Sequence, residues 1–350
     1  NAGGGIGLKR LLNTLYITGT NRYLSLDGEN VVVLEEQNEI GRVPLHNLQS
    51  IVTFGYTGAS PALMGACAQR NIDLAFMSGN GRFLARVTGE VKGNVTLRKE
   101  QYRVSENKEK SIAIARNFIF GKVYNARWIL ERAARDYSLR LDAEKLKEKS
   151  TFLYHSLQKI RECSAAPKLL GLEGEAASVY FSAFDELILQ QKEEFSFRER
   201  SKRPPLDKVN AMLSFAYSLL AGMCGSALEA VGLDPYVGFY HTDRPGRISL
   251  ALDMMEELRG VMADRFVITM INKRIVKKEN FIQRENGAVI LDDSGRKLFL
   301  TAWQERKQDM IKHPFLSERI EWGMVPHVQA MLLARYLRGD LDEYPPFLWK

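Results

Sequence analysis

The chain has 350 residues, of which 45% are hydrophobic and 26% are charged. This composition excludes disordered and collagen-like proteins and is typical of a soluble globular one. At about 150 residues per domain, the length predicts two domains. The 49 basic residues exceed the 42 acidic ones and give a net charge of +7. This charge favours a polyanionic partner, although on charge alone a mildly basic protein without such a partner is an equally good interpretation.

Three further features bear on location and processing. Cys67, Cys163 and Cys224 are odd in number and far apart, which argues against a disulfide framework and against a zinc site of paired cysteines. We therefore expect a reducing cytoplasm. No apolar run approaches the roughly 18 residues that a bilayer span needs, so no membrane segment is expected. The opening NAGGGIG lacks the regions of a signal peptide, and residues 1–8 are interpreted as the remnant of an expression tag.

Residues 9–97 are predicted to form a small, mainly β N-terminal domain. Runs such as NTLYITG and RYLSLDGENVVVLEE alternate apolar and polar positions and are rich in β-branched residues, which is typical of strands. Asp27-Gly28 lies between two such runs and predicts a tight hairpin, because both residue types tolerate positive φ. One helix is predicted in SPALMGACAQRN, with Ser60 as N-cap and Pro61 at the first helical position.

Residues 98–350 are predicted to form a larger, mainly α-helical domain, which makes the fold class α+β. Apolar residues recur every three or four positions in ENKEKSIAIARNFIFGKVYNARWILERAARD, with helical character from Ser111 onward. The boundary is expected between residues 92 and 106, where Gly, Asn and charged residues cluster. Further helices are predicted at 142–163, 174–195, 207–231, 248–278 and 321–338.

A basic connection around Pro204-Pro205 precedes the helix predicted at 207–231, and Asp207 is expected to cap that helix. A charge run of this kind is more often a solvated loop than a binding site. Two prolines that stiffen the loop instead suit a phosphate clamp, since a rigid loop loses less entropy on binding. The candidate DNA contacts in this connection are Arg198, Arg200, Lys202, Arg203 and Lys208.

One acidic stretch, GFYHTDRPGRISLALDMMEELRG, combines a loop histidine with a predicted helix. Helical spacing puts Asp253, Glu256 and Glu257 on one face, behind His241. The cluster is either a metal site or a loop histidine beside a solvated helix face, and the second is the more common arrangement.

A second acidic stretch is LLGLEGEAASVYF, in which Glu173 and Glu175 flank Gly174 at the expected start of a helix. The two glutamates are either ligands or acids that favour the positive end of the helix dipole, and spacing does not separate them. The remaining histidines have no partner at metal-ligand spacing, and we expect none of them to bind a catalytic metal. They are His46, His155, His313 and His327.

Three motifs in this order, LLGLEGEAASVYF, RSKRPPLDKVNAMLSFAYSLL and GFYHTDRPGRISLALDMMEELR, together resemble the CRISPR-associated protein Cas1 family. The resemblance extends from LLNTLYI to YPPFLWK and is closest to the type I-C branch. It implies metal ligands at Glu173, His241 and Glu256, with Asp253 as a supporting catalytic residue. It also implies a phosphate contact at Arg259, where the family often has a basic residue.

Two acids, Glu175 and Glu257, have no counterpart in the family and are interpreted as helix-surface residues. The implied ligands, one imidazole and two carboxylates, suit Mn²⁺ or Mg²⁺ better than structural zinc. A cation in an open site stabilises charge on a phosphate and activates a hydroxyl. The resemblance therefore implies catalysis of phosphodiester exchange at this site.

The function implied by the resemblance is CRISPR adaptation, in which the 3′-hydroxyl of a captured DNA fragment, the prespacer, attacks the backbone of the CRISPR repeat. The implied partners are double-stranded DNA, a second copy of the chain joined through the β domain, the small protein Cas2 and, in type I-C systems, a Cas4 nuclease. Two alternatives stay open. One is a structure-selective nuclease for branched DNA, and the other is a non-catalytic basic scaffold whose DNA binding depends on salt but whose products do not depend on a metal.

Overall fold

The structure is a computed structural model of the chain, and it describes residues 8–11, 14–18, 21–48, 50–55, 57–70, 72–78, 83–87, 89 and 95–350. Most of the interpreted tag lies outside the described residues, but Leu8 begins the first strand. The chain divides into two compact units, Asn1–Lys92 and Gly93–Lys350. This division lies within the expected window of 92 to 106, whereas the predicted limit after residue 97 falls inside a helix.

The first unit is built from two β-sheets and one helix. Its strands are β1 (Leu8–Leu11), β2 (Thr14–Thr18), β3 (Arg22–Asp27), β4 (Asn30–Glu35), β5 (Asn38–Pro44), β6 (Ser50–Phe54), β7 (Gly58–Ala59), β8 (Asp73–Met77) and β9 (Phe83–Val87). One sheet has the order β1-β2-β6-β8-β9 and the other has the order β5-β4-β3-β7. Parallel pairing of β2 with β6 and of β6 with β8 lies at the centre of the five-stranded sheet.

The hairpin predicted near Asp27 is present, with its turn one residue further along. Asp27 pairs with Asn30, so the two turn residues are Gly28 and Glu29, and Gly28 takes a φ of +57°. Helix α1 (Pro61–Gln69) begins as predicted, because the Ser60 side chain accepts a hydrogen bond from a first-turn amide. The buried core of the unit comes from the sheets, from α1 and from the segments between them. It includes Leu15, Ile17, Leu24, Val31, Val33, Leu45, Ile51, Leu63, Cys67 and Leu74.

The second unit is mainly helical. Its helices are α2 (Val95–Glu106), α3 (Lys108–Asp136), α4 (Ala143–Arg161), α5 (Ala166–Ser182), α6 (Lys208–Ala230), α7 (Ser249–Arg259), α8 (Arg265–Asn272), α9 (Asp293–Gln308) and α10 (Val325–Leu337). A π-helical segment, Gly260–Asp264, joins α7 to α8. Two small hairpins, β10 (Phe281–Gln283) with β11 (Val289–Leu291) and β12 (Met310–Lys312) with β13 (Arg319–Glu321), flank α9.

Side-chain caps explain where several of these helices begin. Asn107, Asp142, Asp207 and Asp292 each accept a hydrogen bond from an amide in the first turn that would otherwise lack a partner. The ends predicted for α4 and α6 are confirmed to within two residues. The helix predicted over 248–278 is confirmed from Ser249 to Asn272, with the π-helical segment within it.

The helix predicted over 174–195 was wrong in its position. α5 begins at Ala166 and ends at Ser182, so Glu173 and Glu175 lie well inside it rather than at its start. Beyond a short 3₁₀ helix, the apolar residues Ile188 and Phe195 are buried without forming a helix. Their burial accounts for the apolar pattern that was read as helical.

Helix α6 is the core helix of this unit. Among the described residues, it alone is long and apolar enough to cross a membrane, with a mean hydropathy of 1.5 over a window that is 72% buried. The expectation that no apolar run approaches such a length was therefore wrong for this helix. Its buried residues pack within the helical unit, and this packing accounts for its composition.

Candidate active site

The buried carboxylate of Asp253 on α7 organises the loop that carries His241. Its Oδ2 accepts hydrogen bonds from the amides of Phe239 at 2.7 Å and Tyr240 at 2.9 Å. Its Oδ1 accepts from the amide of His241 at 2.9 Å and lies 2.6 Å from Nδ1 of the same residue. Because a carboxylate accepts, Nδ1 carries a proton, and in the neutral form of the ring Nε2 is the nitrogen that has the lone pair. Asp253 is therefore a positioning residue, and it leaves Nε2 of His241 available as a ligand.

Glu256 lies three residues further along α7, is 6% exposed and is held by an arginine. Both of its carboxylate oxygens accept from Nη1 of Arg259 at 3.1 Å. The guanidinium carbon of Arg259 also lies 4.2 Å from the ring centroid of Tyr217, whose hydroxyl donates to Asp264. Arg259 is 9% exposed, and its guanidinium lies between Glu256 and Tyr217. The implied phosphate contact of Arg259 stays a prediction.

Lys122 on α3 connects the two acidic stretches that the sequence left separate. Its Nζ donates to Oε1 of Glu173 on α5 and lies 2.6 Å from Oε2 of Glu256. The hydroxyl of Tyr240 lies 3.5 Å from the other oxygen of Glu173, and the rings of Tyr240 and His241 are in contact, with centroids 5.3 Å apart. Glu173, Glu256 and His241 are thus brought to one neighbourhood from three parts of the chain.

The charges in this cluster shift the pKa values of its titratable groups. Burial alone would raise the pKa of the Glu256 carboxyl, but the charges of Lys122 and Arg259 outweigh burial and hold that pKa well below its usual range. Burial and the nearby acids, Glu173 foremost, raise the pKa of the Tyr240 hydroxyl. In the part of the chain that the structure describes, no three His, Cys, Asp or Glu side chains already stand close enough to hold a metal ion. The two carboxylates instead share the ammonium of Lys122.

Glu257 is not the helix-surface acid that the sequence predicted. It is fully buried. Its carboxylate accepts from the Tyr344 hydroxyl, from Gln329 at 3.0 Å and from the amide of Phe347 at 2.7 Å. Burial raises the pKa of Glu257 to about 7, although these hydrogen bonds oppose the shift. Glu175, by contrast, is exposed on α5 as predicted.

Comparison with known proteins places this arrangement in a family. Residues 15–305 match the family described as CRISPR associated protein Cas1. The chain belongs to the Cas1 family. It is 47% identical to the CRISPR-associated endonuclease Cas1 1 of Chlorobaculum tepidum, covering 98% of this chain and 100% of that protein. It is 50% identical to the CRISPR-associated endonuclease Cas1 2 of Rhodospirillum rubrum, with coverage of 98% and 100%.

Solved structures show the same fold. A casposase bound to integration product has a TM-score of 0.81 at 23% identity, covering 97% of this chain and 95% of that chain. A chain of a Cas6-RT-Cas1–Cas2 complex has a TM-score of 0.78 at 22% identity, covering 97% of this chain and 36% of that chain. The predicted family and α+β fold class are confirmed, whereas the type I-C assignment stays a prediction.

Two of the five residues predicted as phosphate contacts in the basic connection instead have partners within the protein. Arg200 donates to Asn210 at 2.6 Å and to Ser214 at 3.0 Å, and Lys208 pairs with Glu194 at 3.1 Å. Both cations are therefore occupied within the fold. The other three candidates are exposed, namely Arg198, Lys202 and Arg203.

Of these three, Lys202 is electrostatically coupled to the acidic cluster. Burial, followed by the charges of Arg259 and Arg200, lowers the pKa of Lys202, while Glu256 opposes that shift. Arg198, Lys202 and Arg203 stay predictions as phosphate contacts.

Sequence reasoning missed Lys122, Tyr240 and Tyr217. Lys122 lies in a long amphipathic helix with other lysines and has no motif of its own. Tyr240 adjoins His241 in sequence, which was a usable signal. The partners of Tyr217 come from other helices and could not be found from local spacing. The other histidines stay outside the cluster, and His313 is buried against Gln329 at 3.1 Å.

Proposed function

We propose that this chain is a metal-dependent DNA endonuclease and integrase of CRISPR adaptation. The observation that carries the proposal is the convergence of Glu173 and Glu256 on one cation, beside a histidine whose Nε2 is left free by Asp253. Such an arrangement, in a chain of the Cas1 family, supports phosphodiester chemistry more directly than a scaffold role. No covalent protein nucleophile is required.

The donor set fits a hard divalent cation. The two carboxylates supply oxygen donors, and a neutral imidazole completes a mixed oxygen and nitrogen set. The residues that would hold the cation are Glu173, Glu256 and His241, and we propose Mn²⁺ or Mg²⁺. When bound, the cation would stabilise charge on phosphoryl oxygens and lower the pKa of an attacking hydroxyl. The three cysteines are buried and free, and none of them belongs to this set.

The chain's own residues then hold the reacting groups. Asp253 fixes the tautomer and orientation of His241, and Arg259 fixes Glu256. Lys202, with Arg198 and Arg203 on the same connection, contacts the phosphates of double-stranded DNA. In the reaction, the prespacer 3′-hydroxyl loses its proton and forms a bond to a repeat phosphorus. The bond to the repeat's own 3′ oxygen breaks, and because one phosphodiester replaces another, no ATP is consumed.

The proposed assembly has several parts. The N-terminal β domain forms a homodimer and the helical domain is catalytic, while the partner proteins are Cas2 and, in type I-C systems, a Cas4 nuclease. Family membership supports these partners, and the net charge of +7 supports a polyanionic substrate. We expect the protein to act in the cytoplasm without a membrane partner.

The test is a joining assay with a linear duplex that has free 3′-hydroxyls and a repeat-containing target. His241→Ala and Glu256→Ala are expected to lose joined product by about a thousandfold or more, while Glu175→Gln, an exposed acid on α5, joins like the wild type. A branched duplex without free ends runs in parallel. Cleavage of that duplex without any joining would support the branched-DNA nuclease instead. Joining that persists in both alanine variants would contradict the site assignment.

A further inference from the structure

The two glutamates proposed as metal ligands are already paired with cations. Two carboxylates, Glu173 and Glu256, face two cations, Lys122 and Arg259. A divalent cation placed on the same carboxylates would meet the ammonium of Lys122 at contact distance, and like charges that close repel strongly in a partly desolvated site. One of the two resident cations therefore has to move when the metal binds.

The two cations differ in how firmly they are held. Arg259 contacts Glu256 at 3.1 Å and also stacks on Tyr217 at 4.2 Å. A planar guanidinium held on two sides has little freedom. Lys122 is a point charge on a flexible stem, its side chain is 12% exposed, and its Nζ sits between the two carboxylates themselves. Lys122 is the cation that can leave.

We propose that Lys122 is the exchangeable counter-ion of this site. Its ammonium holds Glu173 and Glu256 together until a divalent cation takes its place on the same oxygens, and the released ammonium moves toward the solvent-facing side where phosphates arrive. The inference rests on the proposed metal site, but it assigns a separate property to a residue outside the ligand set. Lys122 acts on the metal by competition rather than by ligation.

The first test measures Mn²⁺ affinity by titration calorimetry for the wild type, Lys122→Met and Lys168→Met. Removing a direct competitor is expected to tighten Mn²⁺ binding by about tenfold or more in Lys122→Met. Lys168→Met is the control, because it removes an exposed positive charge on α5 that is not paired with either carboxylate. Its affinity is expected to change by less than about threefold.

The same titration distinguishes a failure of the proposed metal site from a failure of the proposed exchange. If the wild type binds no Mn²⁺, both the proposed metal site and the exchange are wrong. If the wild type binds Mn²⁺ and Lys122→Met binds it equally or more weakly, the site stands and the exchange is overturned.

A second measurement uses the wild type and does not depend on a variant that folds. Lysines are acetylated briefly with and without Mn²⁺, and modification is read by mass spectrometry with the exposed Lys297 as internal reference. The exchange predicts that Mn²⁺ raises modification of Lys122 several-fold relative to Lys297, because the amine is released from its carboxylates. Unchanged or reduced modification of Lys122 would contradict it.

Discussion

Helix α7 carries two neighbouring glutamates whose surroundings are opposite in kind. Glu256 faces the cations Lys122 and Arg259, which hold its pKa well below the usual range against the effect of burial. Glu257 faces the neutral donors of Gln329, Tyr344 and the Phe347 amide, and burial raises its pKa to about 7. Both side chains are nearly inaccessible to solvent. Burial alone therefore does not mark a functional acid, and the charge of the groups that face it does.

The largest expected effect is the loss of strand joining when Glu256 is neutralised, compared with the effect of neutralising Glu257. Glu256→Gln keeps the shape of the side chain but loses the charge that the cations face, so strand joining is expected to fall by about a thousandfold or more. Glu257→Gln turns an amide N–H toward one of the donors and is expected to cost stability. No cation faces this side chain, so joining measured well below the unfolding temperature is expected to stay within about threefold of wild type. The same joining assay checks both variants. Equal losses of joining would contradict the proposed difference between Glu256 and Glu257.

An intermediate effect is expected at Asp253. Asp253→Asn can offer an N–H where His241 now donates, so the imidazole loses the partner that fixes its tautomer. Joining is expected to fall by about 10- to 100-fold, with Mn²⁺ affinity falling in parallel, because the change acts through His241. Nitrogen chemical shifts of the His241 ring report its tautomer directly. If Asp253→Asn joins slowly but its His241 ring keeps the wild-type tautomer, Asp253 acts in some other way.

The smallest effect on strand joining is expected for a change in the residues that contact Glu257. Tyr344→Phe removes one hydrogen bond to a buried carboxylate and is expected to lower the free energy of unfolding by about 1–3 kcal/mol. Joining measured well below the unfolding temperature is expected to stay within about twofold. Denaturant unfolding and the joining assay together check this split. A large loss of joining without a loss of stability would place Tyr344 in the catalytic machinery.

The sequence predicted the parts of the fold that depend on local signals. Capping residues such as Asp207 and Ser60 marked helix starts correctly, because a cap and its amide lie within three residues of each other. The boundary window and the mainly β and mainly α halves followed from the change of apolar period. The helix over 174–195 was misplaced because buried apolar residues such as Ile188 and Phe195 mimic an amphipathic pattern in irregular chain.

Only the site residues that lie in recognisable motifs could be predicted from the sequence. The resemblance named Glu173, His241 and Glu256, and the structure brings them to one neighbourhood. It could not show that Arg259 and Arg200 are committed to internal partners, since those partners follow from packing between helices. The interpretation of Glu257 as a surface acid failed for the same reason. Its donors come from α10 and from the segment after residue 343, more than seventy residues away.

The most direct measurement of the central claim is Mn²⁺ binding, followed by electron paramagnetic resonance, in the wild type and in the paired variants Glu256→Gln and Glu257→Gln. If Glu173, His241 and Glu256 hold the catalytic cation, the wild type and Glu257→Gln bind Mn²⁺ with similar affinity, and Glu256→Gln loses most of that binding. If Glu256→Gln binds Mn²⁺ as tightly as the wild type, the cation lies elsewhere and the proposed site is wrong.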